Sequence, residues 1–591
     1  MSEPLPPGGD RIHERVSLRD YAALLGRYLR PYGPRVALLA LFIFTGIGLR
    51  LAYPQVVRFF IDTARDGGAK EDLIWAAGVY LAIGLARQFV FLGGSYLGQD
   101  VGWRVTNTMR GDLADHCLRL DMGFHNEHTP GELVERVDGD TTTLSNFFSQ
   151  FSAQVVGSFF LLLGVLTLVW REDWRMGAAL CVFTLVSFAV INLTRSVAVP
   201  YYAAEREGFS RLFGFLEERL SGIEDVRTNG AVGFVLDRFF RVNRDAYGRV
   251  VRSETMGAAL RSVIGILFAG GHALAMGMGI WLYQDGIFTI GAVYLIFEYT
   301  TMLRFPLYQI SEQINDLQRA TAGLKRIEAL YRIRPRIVDG DGEIPSGPLS
   351  VEFDDVSFDY FPGSPVLRGV NLRLEAGRTL GLLGRTGGGK TTLTRLLFRF
   401  YDVTAGQICL GGRPLPELSL RSLRQRVGMV TQDVQIFPAT VRENLALFDE
   451  EVDDDAMLAA LDSLGLSGWF RTLPDGLDTA ITAGGLSAGE SQLLAFARVF
   501  LSDPGVVILD EPSSRLDPAT ERQIDHAVRE LLRGRTGIVI AHHLATVRRV
   551  DDIVIFDAGR VLEQGSRETL ASDSKSRFSQ LLSAGLEEYT A

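Results

Sequence analysis

The sequence predicts two parts of different fold class, an α-helical membrane domain with six transmembrane helices and, after it, an α/β domain. The chain has 591 residues, of which 47% are hydrophobic, and nearly all of its long apolar runs come before residue 310. The remainder has the mixed composition of a soluble α/β domain, with short apolar runs that lead into glycine or acidic residues. We expect the membrane domain at 1–317, a charged, proline-containing linker at 318–349 and the α/β domain at 350–591.

Composition narrows the classes of partner and site. The formal net charge is −10 and no basic stripe stands out, which argues against nucleic acid as the main partner. Cys117, Cys181 and Cys409 are scattered singly, so we expect reduced structural cysteines without a metal site or a disulfide framework. The first sixteen residues are polar and contain proline. We therefore expect no cleavable signal peptide, and the first apolar run should stay in the membrane.

Residues 17–34 carry apolar positions at helical spacing, with Arg19, Arg27 and Arg30 between them. This pattern fits a helix that lies in the membrane interface. On these residues alone, a soluble amphipathic helix fits nearly as well.

Six candidate spans follow, each near the ~20 residues that cross about 30 Å of hydrocarbon; they are 36–60, 73–96, 153–170, 176–193, 263–283 and 290–307. Short segments join them in pairs, and two long polar stretches, 97–152 and 194–262, separate the pairs. The positive-inside rule places the long stretches in the cytoplasm because of their arginines, among them Arg104, Arg110, Arg119 and Arg195. We therefore expect a multi-pass membrane protein with both termini and the α/β domain in the cytoplasm. The long stretches should continue as helices well beyond the bilayer.

Four polar side chains inside the spans need a reason, because a charge at the membrane centre costs about 2.5 to 3.5 kcal/mol; they are Arg50, Arg87, His272 and Glu298. They either line a translocation cavity, or they pair between helices and snorkel. For Glu298 both interpretations stay open, and for Arg50 and Arg87 pairing or snorkelling is favoured. Aromatic side chains of the last span are candidate walls of a cavity, namely Tyr294, Phe297, Tyr299 and Phe305.

Residues 384–391 read Gly-Arg-Thr-Gly-Gly-Gly-Lys-Thr and fit the pattern G-x-x-x-x-G-K-[ST]. An apolar strand-like run precedes the motif and a helix-like run follows it, which is the context that a phosphate loop needs and a chance glycine-rich turn lacks. The pattern predicts that Lys390 reaches β- and γ-phosphates and that the Thr391 hydroxyl holds Mg²⁺. The α/β domain is thus predicted to be a P-loop NTPase, with phosphate-binding residues Gly384, Arg385, Thr386, Gly387, Gly388, Gly389, Lys390, Thr391 and Thr392.

Two further apolar runs end in polar residues. Residues 506–509 end at Asp510 and Glu511, and 536–540 lead to His542. Asp510 is predicted to bind Mg²⁺ through water, and Glu511 to polarise the attacking water. His542 can donate a hydrogen bond to a γ-phosphate, although histidines at strand ends are commonly structural. Tyr360, after the first strand of the domain, can stack on adenine or simply pack.

Together these motifs resemble an ATP-binding cassette (ABC) transporter of the exporter type, and the resemblance covers essentially the whole chain. Tyr360 matches the adenine-stacking aromatic, 384–391 Walker A and 508–511 Walker B. Gln432 matches the Q-loop, 486–490 (Leu-Ser-Ala-Gly-Glu) the signature, Asp517 the D-loop and His542 the switch histidine. Residues 129–133 and 217–222 resemble the cytoplasmic extensions that carry the coupling helices.

The resemblance implies a half-transporter that couples ATP hydrolysis to export or flipping of a hydrophobic or amphipathic substrate, such as a drug, lipid or peptide. It implies ATP and Mg²⁺ as cofactors, with Mg²⁺ held by Thr391, Gln432 and Asp510, and Glu511 and His542 as catalytic residues. A bacterial inner membrane is the expected location. The rivals are an ATP-gated channel on the same frame and a membrane-anchored ATPase that transports nothing.

The signature departs from the family pattern LSGGQ. Ser487 and Gly489 are kept, but Ala488 adds a methyl group and Glu490 adds a negative charge. At ~6 Å from a phosphate, with an effective dielectric near 20, that charge repels by a few kcal/mol before screening. We therefore expect a heterodimer, in which these Walker motifs join a partner's intact signature in the hydrolytic site. That partner would carry LSGGQ and a degenerate Walker B, and a tolerant homodimer is the alternative.

Overall fold

The computed structural model describes residues 26–150, 155–385, 387–482, 484–510, 518–541, 547 and 550–584, with side chains at 146–150, 311–318, 518–519 and 584 excepted. The chain forms two compact units. The first comprises Met1–Leu118 and Pro130–Ile333, and the second comprises Arg119–Thr129 and Arg334–Ala591. The short segment Arg119–Thr129 is therefore part of the second unit, although it precedes most of the first in sequence. All three cysteines are free thiols, as expected.

The described part of the chain up to Arg332 is helical almost throughout. Its helices are α1 (Gly33–Arg65), α2 (Lys70–Leu118), α3 (Met122–Glu127), α4 (Pro130–Val134), α5 (Thr141–Gln150), α6 (Gly157–Glu172), α7 (Trp174–Ser221), α8 (Ile223–Thr228), α9 (Val232–Gln284) and α10 (Ile290–Arg332). A 3₁₀ turn, Arg30–Tyr32, precedes α1, and a π-helical segment, Glu135–Asp140, precedes α5. Of the expected interfacial helix, residues 17–25 lie outside the described part of the chain.

Each of the six predicted spans coincides with one helix, apart from the first four residues of the third span, of which 153 and 154 are not described and 155 and 156 are π-helical. Helices α2, α7, α9 and α10 have 49, 48, 53 and 43 residues. At ~1.5 Å per residue they are at least about twice as long as the ~30 Å hydrocarbon layer is thick, which confirms the predicted helical extensions. Helix α10 ends at Arg332, so residues 318–332 of the expected linker are helical.

Four helices of the described chain are long and apolar enough to cross a membrane by length and composition alone, namely Gly26–Arg65, Lys70–Leu118, Trp174–Ser221 and Val232–Gln284. The other two expected spans differ from these for identifiable reasons. Helix α6 has 16 residues, and α10 carries Glu298 and Arg304 within its apolar half. Side-chain caps fix the helix start after two of the short connections: Asp173 accepts hydrogen bonds from the first turn of α7, and Thr289 accepts one from the backbone N–H of Ala292 in α10.

The second unit contains twelve strands in its described part. They are β1 (Val351–Asp359), β2 (Pro365–Leu374), β3 (Thr379–Gly384), β4 (Ala405–Leu410), β5 (Arg413–Pro414), β6 (Val427–Val430), β7 (Ala439–Thr440), β8 (Ala480–Ile481), β9 (Val506–Asp510), β10 (Thr536–Ile540), β11 (Asp552–Asp557) and β12 (Arg560–Ser566). Three sheets result, with strand orders β2-β1-β4-β5, β12-β11-β3-β10-β9-β6 and β7-β8.

Helices fill the spaces between these strands. They are α11 (Lys390–Leu397), α12 (Leu420–Arg426), α13 (Val441–Ala446), α14 (Asp454–Ser463), α15 (Ser467–Phe470), α16 (Ala488–Leu501), α17 (Pro518–Leu532), α18 (Arg567–Ser572) and α19 (Arg577–Ala584). The central strands of the six-stranded sheet read as continuous apolar runs because both of their faces are covered. Val507 and Leu509 of β9 face one hydrophobic core, and Ile508 between them faces the other. Because both of their faces are buried, these strands are held in place, and so is the edge of the sheet at which they end.

Candidate functional site

The candidate site lies at one edge of the six-stranded sheet, where four neighbouring parallel strands end. These strands are β3, β10, β9 and β6 in spatial order. Leu382 of β3 pairs with Ile540 of β10, which pairs with Asp510 of β9. Because the carboxyl ends of parallel strands share an edge, the loops that follow them are brought together. The edge gathers the predicted phosphate loop, Asp510 and Gln432, which follows β6 by two residues.

The loop after β3 curls tightly, and only glycine fits at its two ends. Gly384 has a φ of +149°, and a Cβ there would lie 2.0 Å from the carbonyl oxygen of Phe556. Gly389 has a φ of +105°, and a Cβ there would lie 2.7 Å from the Leu367 side chain. Gly389 also caps α11, whose first N–H groups lack intrahelical partners. A left-handed glycine loop that opens onto a helix N-terminus is suited to bind an anion.

Lys390 is held inside this loop. Its side chain is buried, and Nζ donates hydrogen bonds to the carbonyl oxygens of Gly384 at 2.6 Å and Arg385 at 3.0 Å. The neighbouring Thr391 is exposed on the first turn of α11, and Thr392 is buried. Of the remaining predicted loop residues, Arg385 and Gly387 are exposed and Gly388 is buried. Thr386 lies outside the described residues. The positive charge of Lys390 and the backbone N–H groups of the glycine loop therefore lie close together.

Tyr360 lies beside the predicted phosphate loop. Its hydroxyl is hydrogen-bonded to Thr392 Oγ1 at 3.2 Å, so the tyrosine is tied to the helix that follows the loop. Its ring packs edge-to-face on Phe358, with centroids 4.8 Å apart, and on Tyr401, at 5.2 Å. The two interpretations of Tyr360, packing and stacking on a base, are compatible in this arrangement, because its packing neighbours fix the ring at the edge of the site.

Tyr401 is a site residue that the sequence analysis missed. Burial raises the pKa of its hydroxyl, with a smaller contribution from Tyr360. Asn126 Nδ2 of helix α3 donates a hydrogen bond to the Tyr401 hydroxyl at 2.5 Å. The loop before α3 is also anchored, since Asp121 accepts a hydrogen bond from the backbone N–H of Arg336. Helix α3 is thus bound to the same aromatic cluster as Tyr360.

The acidic part of the site is described only in part. Asp510 ends β9 and is half-buried, and Gln432 is exposed on the loop after β6. Glu511, Asp517 and His542 lie outside the described residues, so their predicted roles stay predictions. Hydroxyl, carboxylate and amide oxygens at one edge are the donor set that Mg²⁺ prefers.

The segment 486–490 begins helix α16 in a capping box. Ser487 is the N-cap: its hydroxyl accepts a hydrogen bond from the backbone N–H of Glu490, and the Glu490 carboxylate accepts one from the backbone N–H of Ser487. Gly489 is buried, and a Cβ there would lie 2.2 Å from a methyl group of Thr520 on α17. Ala488 is exposed, so its methyl group does not crowd the backbone of its own unit.

Comparison with known proteins supports the resemblance in both units. The family model of the ABC transporter transmembrane region matches residues 36–307, and that of the ABC transporter matches residues 367–514. A fatty acid ABC transporter ATP-binding/permease protein of Mycobacterium bovis is 32% identical over 464 residues, which cover 78% of this chain and 74% of that protein. An ATP-dependent lipid A-core flippase of Syntrophus aciditrophicus is 30% identical, with 92% and 90% covered. The chain belongs to the ABC transporter family.

The fold of this ABC transporter agrees with a solved relative. A bacterial Atm1-family ABC exporter with ATP bound superposes with a TM-score of 0.77 at 24% identity, over 94% of this chain and 98% of that one. One membrane domain fused to one ATP-binding domain makes the chain a half-transporter of the exporter type. It is an integral multi-pass membrane protein that binds ATP and couples ATP hydrolysis to transport.

A second set of missed residues stiffens the ATP-binding domain of this transporter. Arg498 on α16 donates to the carbonyl oxygens of Asn444 at 2.6 Å and Gln435 at 2.8 Å, and to Asn444 Oδ1 at 2.9 Å. Buried Asn444 donates to the carbonyl oxygens of Phe437 and Thr440. Burial lowers the pKa of Arg498, and three acceptors compensate the buried charge. The network ties the segment after Gln432 to the helix that begins at the signature.

The polar residues of the transporter's membrane spans have different surroundings. His272 Nε2 is hydrogen-bonded to Thr301 Oγ1 at 2.8 Å, and the Tyr294 hydroxyl donates to Glu298 at 3.3 Å. Within the described chain Arg50 and Arg87 form no ion pair, but the guanidinium of Arg50 lies 5.7 Å from the ring centroid of Phe305 on α10 and that of Arg87 lies 5.4 Å from that of Tyr53 on α1; their predicted pairing or snorkelling stays a prediction. Of the candidate wall residues, Tyr299 is fully buried and donates a hydrogen bond to the carbonyl oxygen of Leu51 at 3.0 Å. It is a core residue because its position in α10 faces α1 and not a cavity.

Proposed function

We propose that this chain is one half of a heterodimeric exporter that moves a hydrophobic or amphipathic substrate across a bacterial inner membrane by alternating access. The observation that carries the proposal is the common edge of β3, β9 and β6, which brings the buried ammonium of Lys390 near the ends of the strands that precede Gln432 and Glu511. Closure of two such edges on ATP is the event that would drive the membrane helices.

The ATP site would use the phosphate loop for binding and the strand ends for chemistry. Lys390 would neutralise phosphate charge, and the ring of Tyr360 would hold the adenine. Mg²⁺ would be held by Thr391, Gln432 and Asp510, whose oxygen donors fit it, and would stabilise charge on the phosphates when bound. Glu511 would orient the attacking water and His542 would donate to the γ-phosphate. Asp517 would contact the ATP site that is shared with the partner chain.

Helix α3 would carry movement from this site to the membrane helices. It is bound to Tyr401 through Asn126, and it continues from α2 after a gap of three residues. A change in the position of Tyr360 on binding adenine would therefore reach α3 through one aromatic contact and one hydrogen bond.

The heterodimer rests on Glu490. In the family pattern the signature faces ATP held by the partner, and a carboxylate there would repel the phosphates. This chain would then supply a complete Walker site, while the partner would supply LSGGQ and a degenerate Walker B. The homodimer remains the second candidate, because the capping box around Ser487 accepts Glu or Gln at its third position.

The substrate class is proposed from the relatives and from the apolar character of the membrane cavities. The two relatives described above are named for a fatty acid and for the lipid A core. Tyr294 and Phe297 line an apolar cavity of about 590 Å³, and Phe305 lines a second cavity whose wall also includes Arg50 and Arg87. A lipid-like amphipathic molecule fits such walls better than a polar solute does.

The test is reconstitution of the chain with and without its partner in proteoliposomes. ATP-dependent uptake of a fluorescent lipid is expected only with both chains, and substitution Glu511→Gln should abolish turnover while ATP binding is kept. Brisk, cooperative hydrolysis by the chain alone as a stable homodimer would exclude the heterodimer. Flux far above the rate of ATP turnover would indicate a channel instead, and ATPase activity without any uptake would indicate an anchored ATPase.

A further inference from the structure

A two-residue turn joins β11 to β12 beside the predicted phosphate loop. Asp557 pairs with Arg560 across the turn, and the two residues between them, Ala558 and Gly559, have φ angles of +48° and +78°. Positive φ at both central positions is the pattern of a type I′ hairpin turn, whose twist matches that of the strands it joins. Ala558 is exposed, whereas Gly559 is buried. The turn therefore presents the backbone of Gly559 to the interior of the ATP-binding domain.

On one side, Gly559 contacts the phosphate loop. Its backbone N–H donates a hydrogen bond to the carbonyl oxygen of Gly388 at 3.1 Å. The strand that leads into the turn runs parallel to β3, and its Phe556 pairs with Gly384 at the start of the loop. The carbonyl oxygen of Phe556 is the atom that leaves no room for a Cβ at Gly384. The loop is therefore held at both of these glycines by β11 and the turn that follows it.

On its other side, Gly559 contacts strand β2 of the four-stranded sheet. Its carbonyl oxygen accepts a hydrogen bond from the backbone N–H of Arg368 at 2.9 Å. A Cβ on Gly559 would overlap the carbonyl oxygen of Val366 and would lie 3.3 Å from Cα of Leu367. Glycine therefore allows β2 to approach the turn this closely. The three atoms nearest to that Cβ all belong to the β2 backbone, so a side chain at residue 559 would displace β2 and not the loop.

Strand β2 in turn positions Tyr360. Leu367 pairs with Phe358 on β1, the strand that ends one residue before Tyr360, and the rings of Phe358 and Tyr360 pack with centroids 4.8 Å apart. The hydrogen bond between the Tyr360 hydroxyl and Thr392 fixes one atom of the side chain, whereas the plane of the ring depends on the strand that carries it. Gly559 thus lies between the two elements that would hold the two ends of ATP.

We propose that Gly559 is a positioning residue, which sets the distance between the phosphate loop and the ring of Tyr360 and with it the fit of ATP to both. The inference rests on the proposed function, since it requires that the loop holds the phosphates and Tyr360 the adenine. ATP has to contact the two elements at once, whereas adenosine or tripolyphosphate contacts only one of them. The gain in affinity from linking two ligand parts is lost when their sites no longer match the linker.

The test compares Mg-ATP with its two parts, adenosine and Mg-tripolyphosphate. Their dissociation constants for the full chain in phosphatidylcholine nanodiscs are measured by competition with a fluorescent ATP analogue, whose own Kd is determined for each variant. Gly559→Ala should weaken ATP binding roughly tenfold and leave the dissociation constants of adenosine and tripolyphosphate within about twofold of the wild-type values. In ATPase assays with the partner chain, the KM for ATP should rise while kcat is kept, as expected when binding is lost but the chemistry is not.

Gly412→Ala is the matched control. Gly412 has a φ of +79° in the turn between β4 and β5, and a Cβ there would meet no atom within 4 Å. The control therefore introduces the same backbone strain as Gly559→Ala without displacing β2. If Gly559→Ala unfolds, Leu367→Val takes its place, because the Leu367 side chain lies against Gly389 of the loop. This variant should likewise weaken binding of ATP more than binding of adenosine or tripolyphosphate.

Three results would overturn the inference. Equal weakening of all three ligands in Gly559→Ala would show general damage to the domain. A loss of ATP affinity no larger than in Gly412→Ala would assign the effect to backbone strain. Unchanged ATP affinity in both Gly559→Ala and Leu367→Val would show that the hydrogen bond to Thr392 alone positions Tyr360. Failure of the proposed function shows separately, in the wild-type chain, as ATP that binds no more tightly than tripolyphosphate or as absence of ATP-dependent uptake.

Discussion

The carboxylate of Glu490 accepts a hydrogen bond from the backbone N–H of Ser487 at 2.8 Å, and the Ser487 hydroxyl accepts one from the backbone N–H of Glu490 at 3.2 Å. Both polar side chains of the signature segment therefore cap the helix Ala488–Leu501. The cap requires an acceptor at residue 490 but not a charge, since Gln serves equally in a capping box. The cap and the charge can for this reason be separated by experiment.

Glu490→Gln should keep the cap and remove the charge. If the signature faces the partner's ATP, affinity for Mg-ATP at that site should rise about fivefold, which corresponds to about 1 kcal/mol of repulsion left after screening. Equilibrium binding of a fluorescent ATP analogue to the two-chain complex measures this. Ser487→Ala is the comparison: it removes the cap and should lower the apparent unfolding temperature, as a loss of about 1 kcal/mol predicts. Unchanged affinity in Glu490→Gln would remove the argument for a weakened site.

Tyr401→Phe should separate nucleotide binding from transport. The variant keeps the ring that packs on Tyr360 at 5.2 Å but loses the hydroxyl bound by Asn126. A net loss of about 1 kcal/mol in the attachment of Met122–Glu127 is expected, so uptake per ATP hydrolysed should fall while the Kd for ATP stays near the wild-type value. Tyr401→Ala should weaken both. Parallel measurements of uptake and ATPase rate in proteoliposomes report the ratio, and a ratio unchanged in Tyr401→Phe and Asn126→Ala would contradict the proposed route through helix α3.

Local sequence patterns predicted the strand before the glycine loop and the helix after it correctly, because the apolar run, the glycines and the helical residues are adjacent in sequence. The Tyr401–Asn126 contact was missed because 275 residues separate its partners and no local pattern connects them. The ring partners of Arg50 and Arg87, Phe305 and Tyr53, could not be predicted for a related reason: such a contact depends on which helices are neighbours, and periodicity does not give that. The capping box at Ser487 was readable from the spacing of Ser and Glu, but only the charge of Glu490 was considered.

Arg498→Met should destabilise the ATP-binding domain. Arg498 donates hydrogen bonds to the carbonyl oxygens of Asn444 and Gln435 and to Asn444 Oδ1. Its removal takes two of these hydrogen bonds from Asn444, which is fully buried. The expected cost is roughly 2 to 4 kcal/mol, seen as a lower apparent unfolding temperature and faster limited proteolysis of the solubilised full chain. Arg421→Met is the control, because Arg421 is exposed and has no polar partner in the described structure. Equal unfolding temperatures for the two variants would show that the network contributes little.

Asp62 should hold the start of the last membrane helix in place. Its carboxylate accepts hydrogen bonds from the backbone N–H of Gly291 and from the Thr289 hydroxyl, both at 2.8 Å. Arg58, one turn earlier, forms an ion pair with Glu172 at 2.7 Å, so α1, α6 and α10 are joined at the same side of the domain. Asp62→Ala removes a charged acceptor from a helix N-terminus, and we expect a loss of roughly 1.5 to 3 kcal/mol.

The double variant Asp62→Ala with Thr289→Ala distinguishes a specific link from general damage. If the two residues stabilise the same helix start, their effects on the unfolding temperature should be less than additive, with a coupling of about 0.5 kcal/mol or more. Asp66→Ala, at the end of the same helix and exposed, should leave the unfolding temperature unchanged. Strict additivity of Asp62→Ala and Thr289→Ala would mean that the hydrogen bond between them carries no stability, and the start of α10 would then have to be held by packing of residues such as Leu295 alone.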